Sequence, residues 1–260
     1  IKNIKAMDLT SELTIVIPVR IDSKERKENL DVVLFSLLNT TNAFIIILEA
    51  DTEQRYYCNE INNRLDYLFV QDNNPIFHRT HYLNNLLNLS KTNIVGVWDT
   101  DVILDGSQIN EAVKAIKNGI TFCYPYDGRF LFLGIEQSNK IRKDVLTFLH
   151  DKPCSELETL CIGRPSAGGA FVVNKQRYLK DGGENENFYG WGPEDAERLK
   201  RMEILNEPIK GFLFHMYHPR GINSTCGLER DKNNIQELIK ICQMRKDQLQ
   251  EYINTWNWKQ

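Results

Sequence analysis

The stretch Ile94-Val95-Gly96-Val97-Trp98-Asp99-Thr100-Asp101 (IVGVWDTD) decides the fold and raises the question of function. An apolar run passes without interruption into an Asp-x-Asp. A short continuous run of this kind reads as a strand buried on both faces, as in the middle of a parallel sheet. Leu13 to Val19 (LTIVIPV) and Phe44 to Leu48 (FIIIL) read the same way, and Tyr67 to Val70 is a shorter strand. Between them the spacing turns helical. Leu30, Val33, Leu34, Leu37 and Leu38 share one face of a helix over Glu25 to Leu38, and Leu83, Leu86 and Leu87 one over Arg79 to Leu89. Strand and helix alternating through short connections predict an α/β fold with a doubly wound, mostly parallel sheet flanked by helices. Ligands of such sheets bind beyond the carboxyl ends of the strands, where strand order reverses. Asp99 to Asp101 stand at one such end and Arg20 at another.

The second half is less regular. Phe130 to Gly134 reads as a strand, Ser138 to His150 as a helix, and Arg164 to Gly169 (RPSAGG) as a loop leading into a strand at Ala170 to Val173. Gly182-Gly183 and Gly190-Trp191-Gly192-Pro193 break the chain. Glu194 to Leu205 reads as a helix with acids in its first turn, as the helix dipole favours. Phe212 to Tyr217 reads as a strand and Asn233 to Tyr252 as a C-terminal helix.

The bulk numbers exclude several classes. The 260 residues suffice for one large domain or two small ones, and 42% hydrophobic with 26% charged is an ordinary globular composition. Lys+Arg 32 against Asp+Glu 35 gives a net charge of -3, so no basic surplus advertises nucleic acid or an anionic membrane. An anionic ligand then needs a local positive cluster or a metal. No apolar stretch approaches the ~18 residues of a membrane span, and Ile1 to Ser11 lack the apolar core of a secretory signal. Cys58, Cys123, Cys154, Cys161, Cys226 and Cys242 form no CxxC pair and suggest no zinc site; thiols in a reducing compartment are expected.

Four clusters can carry chemistry. Asp99 and Asp101 repel each other unless a cation stands beside them, and their oxygens suit Mg²⁺ or Mn²⁺ bridging to phosphate. Asp-x-Asp alone is also an ordinary polar turn; the apolar strand before it favours the ligand reading. His215 and His218 (FHMYHPR) can share one metal only if the chain turns between them, which Pro219 and Gly221 allow, and imidazole favours Mn²⁺ over Mg²⁺. Glu194 and Asp195 follow a tight turn at a helix start. They are helix caps in the bland reading, and a general base beside a sugar-hydroxyl ligand in the functional one, with Trp191 as an apolar face for a sugar ring. Arg20 and Arg79 can pair with a diphosphate or pack on a base.

These clusters, in this order, resemble the β-1,4-galactosyltransferases and related GT-A glycosyltransferases, including the GalNAc-transferring domains of bacterial chondroitin-type polymerases. The matching pieces are IPVR (Ile17 to Arg20), FHR (Phe77 to Arg79), WDTD (Trp98 to Asp101), GGAFVVNKQRYLKDGG (Gly168 to Gly183), FYGWGPED (Phe188 to Asp195) and HMYH (His215 to His218), spread from Leu13 to about Arg220. The resemblance implies one GT-A catalytic domain over 1–260, with a nucleotide-binding half at 13–125, an irregular donor and acceptor half at 126–220 and a C-terminal helix at 231–255. It implies an inverting, metal-dependent hexosyltransferase moving a hexose or N-acetylhexosamine from a UDP-sugar (UDP-GalNAc, UDP-GlcNAc or UDP-Gal) to a glycan or polysaccharide acceptor.

By position, Asp101 and His218 match metal ligands, His215 falls where a third ligand sits, and Mn²⁺ is the expected ion, with Mg²⁺ the alternative. Pro18, Arg20, Arg79 and Asp99 match the nucleotide site, with Asp99 supporting the donor from the side. Asp195 matches the catalytic base, Glu194 the acid that binds sugar hydroxyls, and Trp191 a mobile-loop residue; Gly169 and Ser166 fall beside the donor sugar. Gly192-Pro193 replaces the usual two glycines, and Pro193 stiffens the segment. Ser166 is small and leaves room for an N-acetyl group, which favours UDP-GalNAc or UDP-GlcNAc over UDP-galactose. A cytoplasmic location, peripheral at the inner membrane, and a role in bacterial surface polysaccharide follow from the family. A sugar nucleotidyltransferase is the rival reading, but Arg20-Ile21-Asp22-Ser23 lacks the glycines such enzymes carry after the first strand. A catalytically inactive carbohydrate-binding relative is the other, with little reason to keep both Asp101 and Asp195.

Overall fold

The computed structural model describes residues 8–58, 62–151, 166–190, 192–203, 209–224 and 229–258. The central sheet is built from β1 (Leu13–Val19), β2 (Phe44–Asp51), β3 (Leu65–Gln71) and β4 (Ile94–Trp98), with α1 (Lys24–Thr40) and α2 (Arg79–Leu89) as crossovers. Every residue of β1 and β4 is buried, as their unbroken apolar runs predict. Alternate side chains go to opposite faces. Ile15, Ile17 and Val19 join Leu30, Val33 and Leu34 of α1 in one core, and Val16 joins Leu83, Leu86 and Leu87 of α2 in the other.

The chain continues through β5 (Val102–Ile103), α3 (Gly106–Lys117), β6 (Phe122–Cys123), β7 (Arg129–Phe132), α4 (Ile135–Lys143), α5 (Val145–Asp151), β8 (Ala170–Asn174), α6 (Lys175–Lys180), α7 (Glu194–Met202), β9 (Phe212–His215), α8 (Glu229–Gln243) and α9 (Lys246–Asn254). The large sheet has the order β3-β2-β1-β4-β8-β6. Its first four strands are parallel, and β8 and β6 join with antiparallel pairings. Strand order therefore reverses between β1 and β4, and Arg20 and Asp99 follow those two strands. A small sheet, β5-β9-β7, stands beyond the end of β4.

Some boundaries differ from the sequence reading. The helix expected over Ser138 to His150 is two, because Asp144 leaves the helical region (φ -157, ψ 85) and its side chain caps the next helix by accepting from the Thr147 amide at 3.0 Å. The C-terminal helix expected over 231–255 likewise divides, into α8 and α9, at Met244-Arg245. The strand expected over Phe212 to Tyr217 stops at His215. Helix α3 was legible but unread: Ile109, Ala112, Val113 and Ile116 are its buried stripe, and Asp105 caps it. Among the described residues no helix is long and apolar enough to cross a membrane, and Cys58, Cys123 and Cys242 form no disulfide. Cys154, Cys161 and Cys226 lie outside the described residues.

Candidate active site

The site forms where the two sheets meet. Asp99 directly follows β4 and is pinned by its backbone, whose amide donates to Gly169 O at 2.8 Å. Three residues on, Val102 pairs with His215, so the β5–β9 register sets that imidazole beside Asp101. The Met216 amide then donates to Asp101 O at 2.8 Å and the Tyr217 amide to Ser138 Oγ at 2.7 Å. The chain has left the strand by this point, which supplies the turn that lets His215 and His218 face one place. His215 Nε2 stands 3.4 Å from one Asp101 oxygen and His218 Nε2 3.2 Å from the other. The three ligand atoms lie within 4.8 Å of one another.

The electrostatics suit a cation. Asp101 is 3% exposed. Burial would raise its pKa, but His215, His218 and Arg26 outweigh burial and hold the carboxyl well below the ordinary range. Burial lowers the pKa of His215, which favours the neutral imidazole a metal needs. His218 Nδ1 lies 2.9 Å from Pro219 O and 3.3 Å from Arg26 Nη2, so it is Nε2 that is turned toward Asp101. A buried carboxylate and two imidazole nitrogens converging in this way fit Mn²⁺ by donor type.

Arg26, which the sequence reading passed over, stands at the same place. Its Nη1 is 3.4 Å from Asp101 Oδ2 and its Nε 2.7 Å from Asp22 Oδ1. Ser23 caps α1 by accepting from the Arg26 amide, so Arg26 sits in the helix's first turn. The Ser-x-x-Arg at the head of an amphipathic segment was the available signal.

A cavity of about 360 Å³ opens over this cluster; Pro18, Arg20, Arg79, Asp99, Glu194 and Asp195 stand on its wall with the metal-type residues. Arg79 donates to Asp99 Oδ1 at 2.5 Å. Its Nη1 is 3.9 Å from Glu194 Oε1, too long for a hydrogen bond, and neither Arg79 Nη1 nor Glu194 Oε2 has a partner although both are buried. Burial first, then Asp195, pushes the Glu194 pKa up to about 8. Asp195 accepts from Arg198 Nη1 at 2.5 Å.

Other predicted residues are placed differently. The Arg20 guanidinium reaches the cavity wall but is occupied, donating to Ala50 O at 2.8 Å, Asn74 O at 2.7 Å and Asp72 Oδ2 at 2.7 Å. Ser166 and Gly169, expected beside the donor sugar, do not line the cavity, and Tyr126 Oη donates to Ser166 O at 3.3 Å. Trp191 lies outside the described residues. Gly192 stands on the wall, and a Cβ there would meet Asn234 Nδ2 of α8 at 2.6 Å. Asn234 also donates to Tyr189 O at 3.1 Å, so α8 braces the segment that enters α7. Nothing in the sequence linked that helix to the site.

The structure aligns with the catalytic domain of Drosophila beta1,4galactosyltransferase 7, solved with xylobiose, at TM-score 0.50 and 12% identity, over 90% of this chain and 81% of the other. It aligns with GalNAc-T7, solved with UDP, GalNAc and Mn2+, at TM-score 0.56 and 11% identity, over 93% of this chain and 49% of the other, so it spans about half of that protein. At these identities the likeness defines the fold, a mixed α/β fold of the GT-A glycosyltransferase type. Residues 162–219 match the family model described as the N-terminal domain of galactosyltransferase, a stretch that contains Gly169, Glu194, Asp195, His215 and His218. No curated protein sequence matches the chain.

Proposed function

We propose that the protein is an inverting, metal-dependent glycosyltransferase that moves a hexose or N-acetylhexosamine from a UDP-sugar to a hydroxyl of a glycan acceptor. The observation that carries this reading is the convergence of Asp101, His215 and His218 on the wall of a cavity that also exposes Glu194 and Asp195. A divalent cation held by those three residues would supply positive charge for a leaving diphosphate. The protein's own groups do the rest.

Arg79 Nη1 and Glu194 Oε2, buried beside the cavity without a partner, are the groups that would meet a phosphate oxygen and a sugar hydroxyl. Asp195 takes the proton of the acceptor hydroxyl as its oxygen bonds to C1 of the donor sugar. The C1–O bond to the diphosphate breaks, and UDP leaves with the electron pair. No enzyme nucleophile is involved, so one displacement inverts the anomeric carbon. Burial, then Asp195, raises the Glu194 pKa to about 8, which favours the protonated acid there, and Asp195, about a third exposed and held by Arg198, is the acid we assign as base.

The choice of UDP-GalNAc or UDP-GlcNAc over UDP-galactose rests on the resemblance at Ser166 alone, since Ser166 does not line the cavity. One catalytic domain over 1–260, a cytoplasmic location peripheral to a membrane, and a bacterial surface polysaccharide as product belong to the same proposal. The test is UDP release from a panel of UDP-sugars with Mn²⁺, with and without sugar acceptors. Acceptor-stimulated UDP release is expected from an N-acetylhexosamine donor, and it should be lost in EDTA. Release of pyrophosphate from UTP and a sugar phosphate, or no turnover of any donor, would overturn the reading. Asp195→Asn should keep UDP binding and lose about 10²–10⁴-fold in kcat, the usual worth of a general base.

A further inference from the structure

Arg198 is 1% exposed and stands outside the cavity, yet one end of it reaches the acid that faces the cavity. Its Nη2 donates to Glu184 Oε2 at 2.6 Å, and its Nε to Glu184 Oε1 at 3.1 Å and to Tyr178 Oη at 3.2 Å. Tyr178 Oη in turn donates to Glu184 Oε1 at 2.6 Å, and the guanidinium lies 4.4 Å from the centre of the Phe171 ring. Three side chains, Glu184, Tyr178 and Phe171, thus fix the plane of the guanidinium from the core side. The remaining Nη1 donates to Asp195 Oδ1 at 2.5 Å. On the other side of that carboxylate is Gly168, where a Cβ would stand 2.3 Å from Asp195 Oδ2.

Stability alone is a poor reason for this arrangement. A buried ion pair gains little over well-packed apolar side chains of the same volume, because desolvation offsets the attraction. Helix α7 could be anchored at Arg198 by an apolar residue against Phe171 and Tyr178. What an apolar residue could not do is aim a donor at Asp195. Charge counting points the same way. Glu184 and Arg198 neutralise each other, so the third contact orients Asp195 rather than cancelling its charge.

We infer that Arg198, anchored by Glu184 and Tyr178, is a positioning residue that holds the Asp195 carboxylate, against Gly168, in the one place from which it reaches an acceptor hydroxyl. This rests on the reading of Asp195 as the base. The assignment goes beyond the Glu-Asp pair, since Arg198 and Glu184 do not line the cavity.

Arg198→Lys keeps a charge for Glu184 but has no fork to span to Asp195. It should lower kcat about 10–100-fold, as misplacement of a reacting group by about 1 Å does, with donor and acceptor KM within about twofold of wild type. Gly168 has φ 105, so Gly168→Ala strains the backbone as well as crowding the Asp195 carboxylate; it leaves the Glu184–Arg198 pair untouched and should give the same kcat-selective loss even if Arg198→Lys folds poorly, and the Asp195→Asn background separates that loss from a backbone effect. In an Asp195→Asn background neither substitution should reduce kcat further. The crystal structure of either variant should show the Asp195 side chain displaced, a readout independent of turnover. Wild-type kcat in both variants while Asp195→Asn is inactive overturns the inference and leaves the base intact. Full activity in Asp195→Asn overturns the reading of the base itself, and an unmoved Asp195 in both variant structures overturns the positioning role.

Discussion

Asp101 is a buried carboxylate with an imidazole at 3.4 Å, a second at 3.2 Å and a guanidinium at 3.4 Å. Its surroundings are arranged for positive charge, and that is why its carboxyl stays ionised despite burial. Asp101→Asn removes the anion while keeping the shape. Mn²⁺ affinity, read by titration calorimetry or by the spin signal of the free ion, should fall at least about tenfold, within the 10–100-fold that even an outer-shell ligand partner is worth. An unchanged affinity would move the metal elsewhere. Two neighbouring acids divide their tasks by environment. Glu194 Oε2 is buried and unpartnered, whereas the Asp195 side chain is about a third exposed and held by Arg198.

Helix α1 shows what an element contributes. It fills the core on one face with Leu30, Val33 and Leu34, and its first turn carries Arg26 to Asp101. Its start is fixed by Ser23, whose side chain accepts from the Arg26 amide at 3.1 Å. Ser23→Ala should destabilise the protein by about 1 kcal/mol in urea unfolding, the usual cost of losing a cap. No change in the midpoint would mean that packing alone sets the helix start. At α7 the three acids Glu194, Asp195 and Glu197 fall in the first turn, which suits the helix dipole. A cap-only reading explains their presence but not the buried, unpartnered Oε2 of Glu194, a residue of the cavity wall.

At the scale of the whole molecule, stability and function pull against each other at Glu194. Its pKa, about 8 in the folded chain, lies above the ordinary 4.5. A raised carboxyl contributes stability that is complete below the unfolded value and is lost as pH rises through the folded one. Unfolding followed from pH 5 to 9 should therefore show the metal-free protein weakening toward pH 9. Glu194→Gln should flatten that decline and be the more stable chain at pH 9. A decline unaltered in Glu194→Gln would mean that Glu194 is already ionised in the folded state. Glu184 works in the opposite sense: burial raises its pKa, but Arg198 outweighs burial and depresses it, so its contribution disappears only as the protein is acidified below the folded value.

The sequence by itself determined the parallel half. Unbroken apolar strands and helices with a 3.6-residue stripe are local patterns, and burial on both faces of β1 and β4 follows from them. It also marked Asp101, His215, His218, Glu194 and Asp195, because Asp-x-Asp after a strand and acids at a helix start are visible in short windows. Only the tertiary structure brought those windows together. The β5–β9 register that sets His215 beside Asp101 joins residues over a hundred positions apart, and no local preference encodes such a pairing. The occupied Arg20, the approach of Arg26 to Asp101 and the line from Glu184 through Arg198 to Asp195 were hidden for the same reason. A charged side chain looks alike in sequence whether it is solvated or buried; which partner it finds depends on the surfaces that folding brings against it.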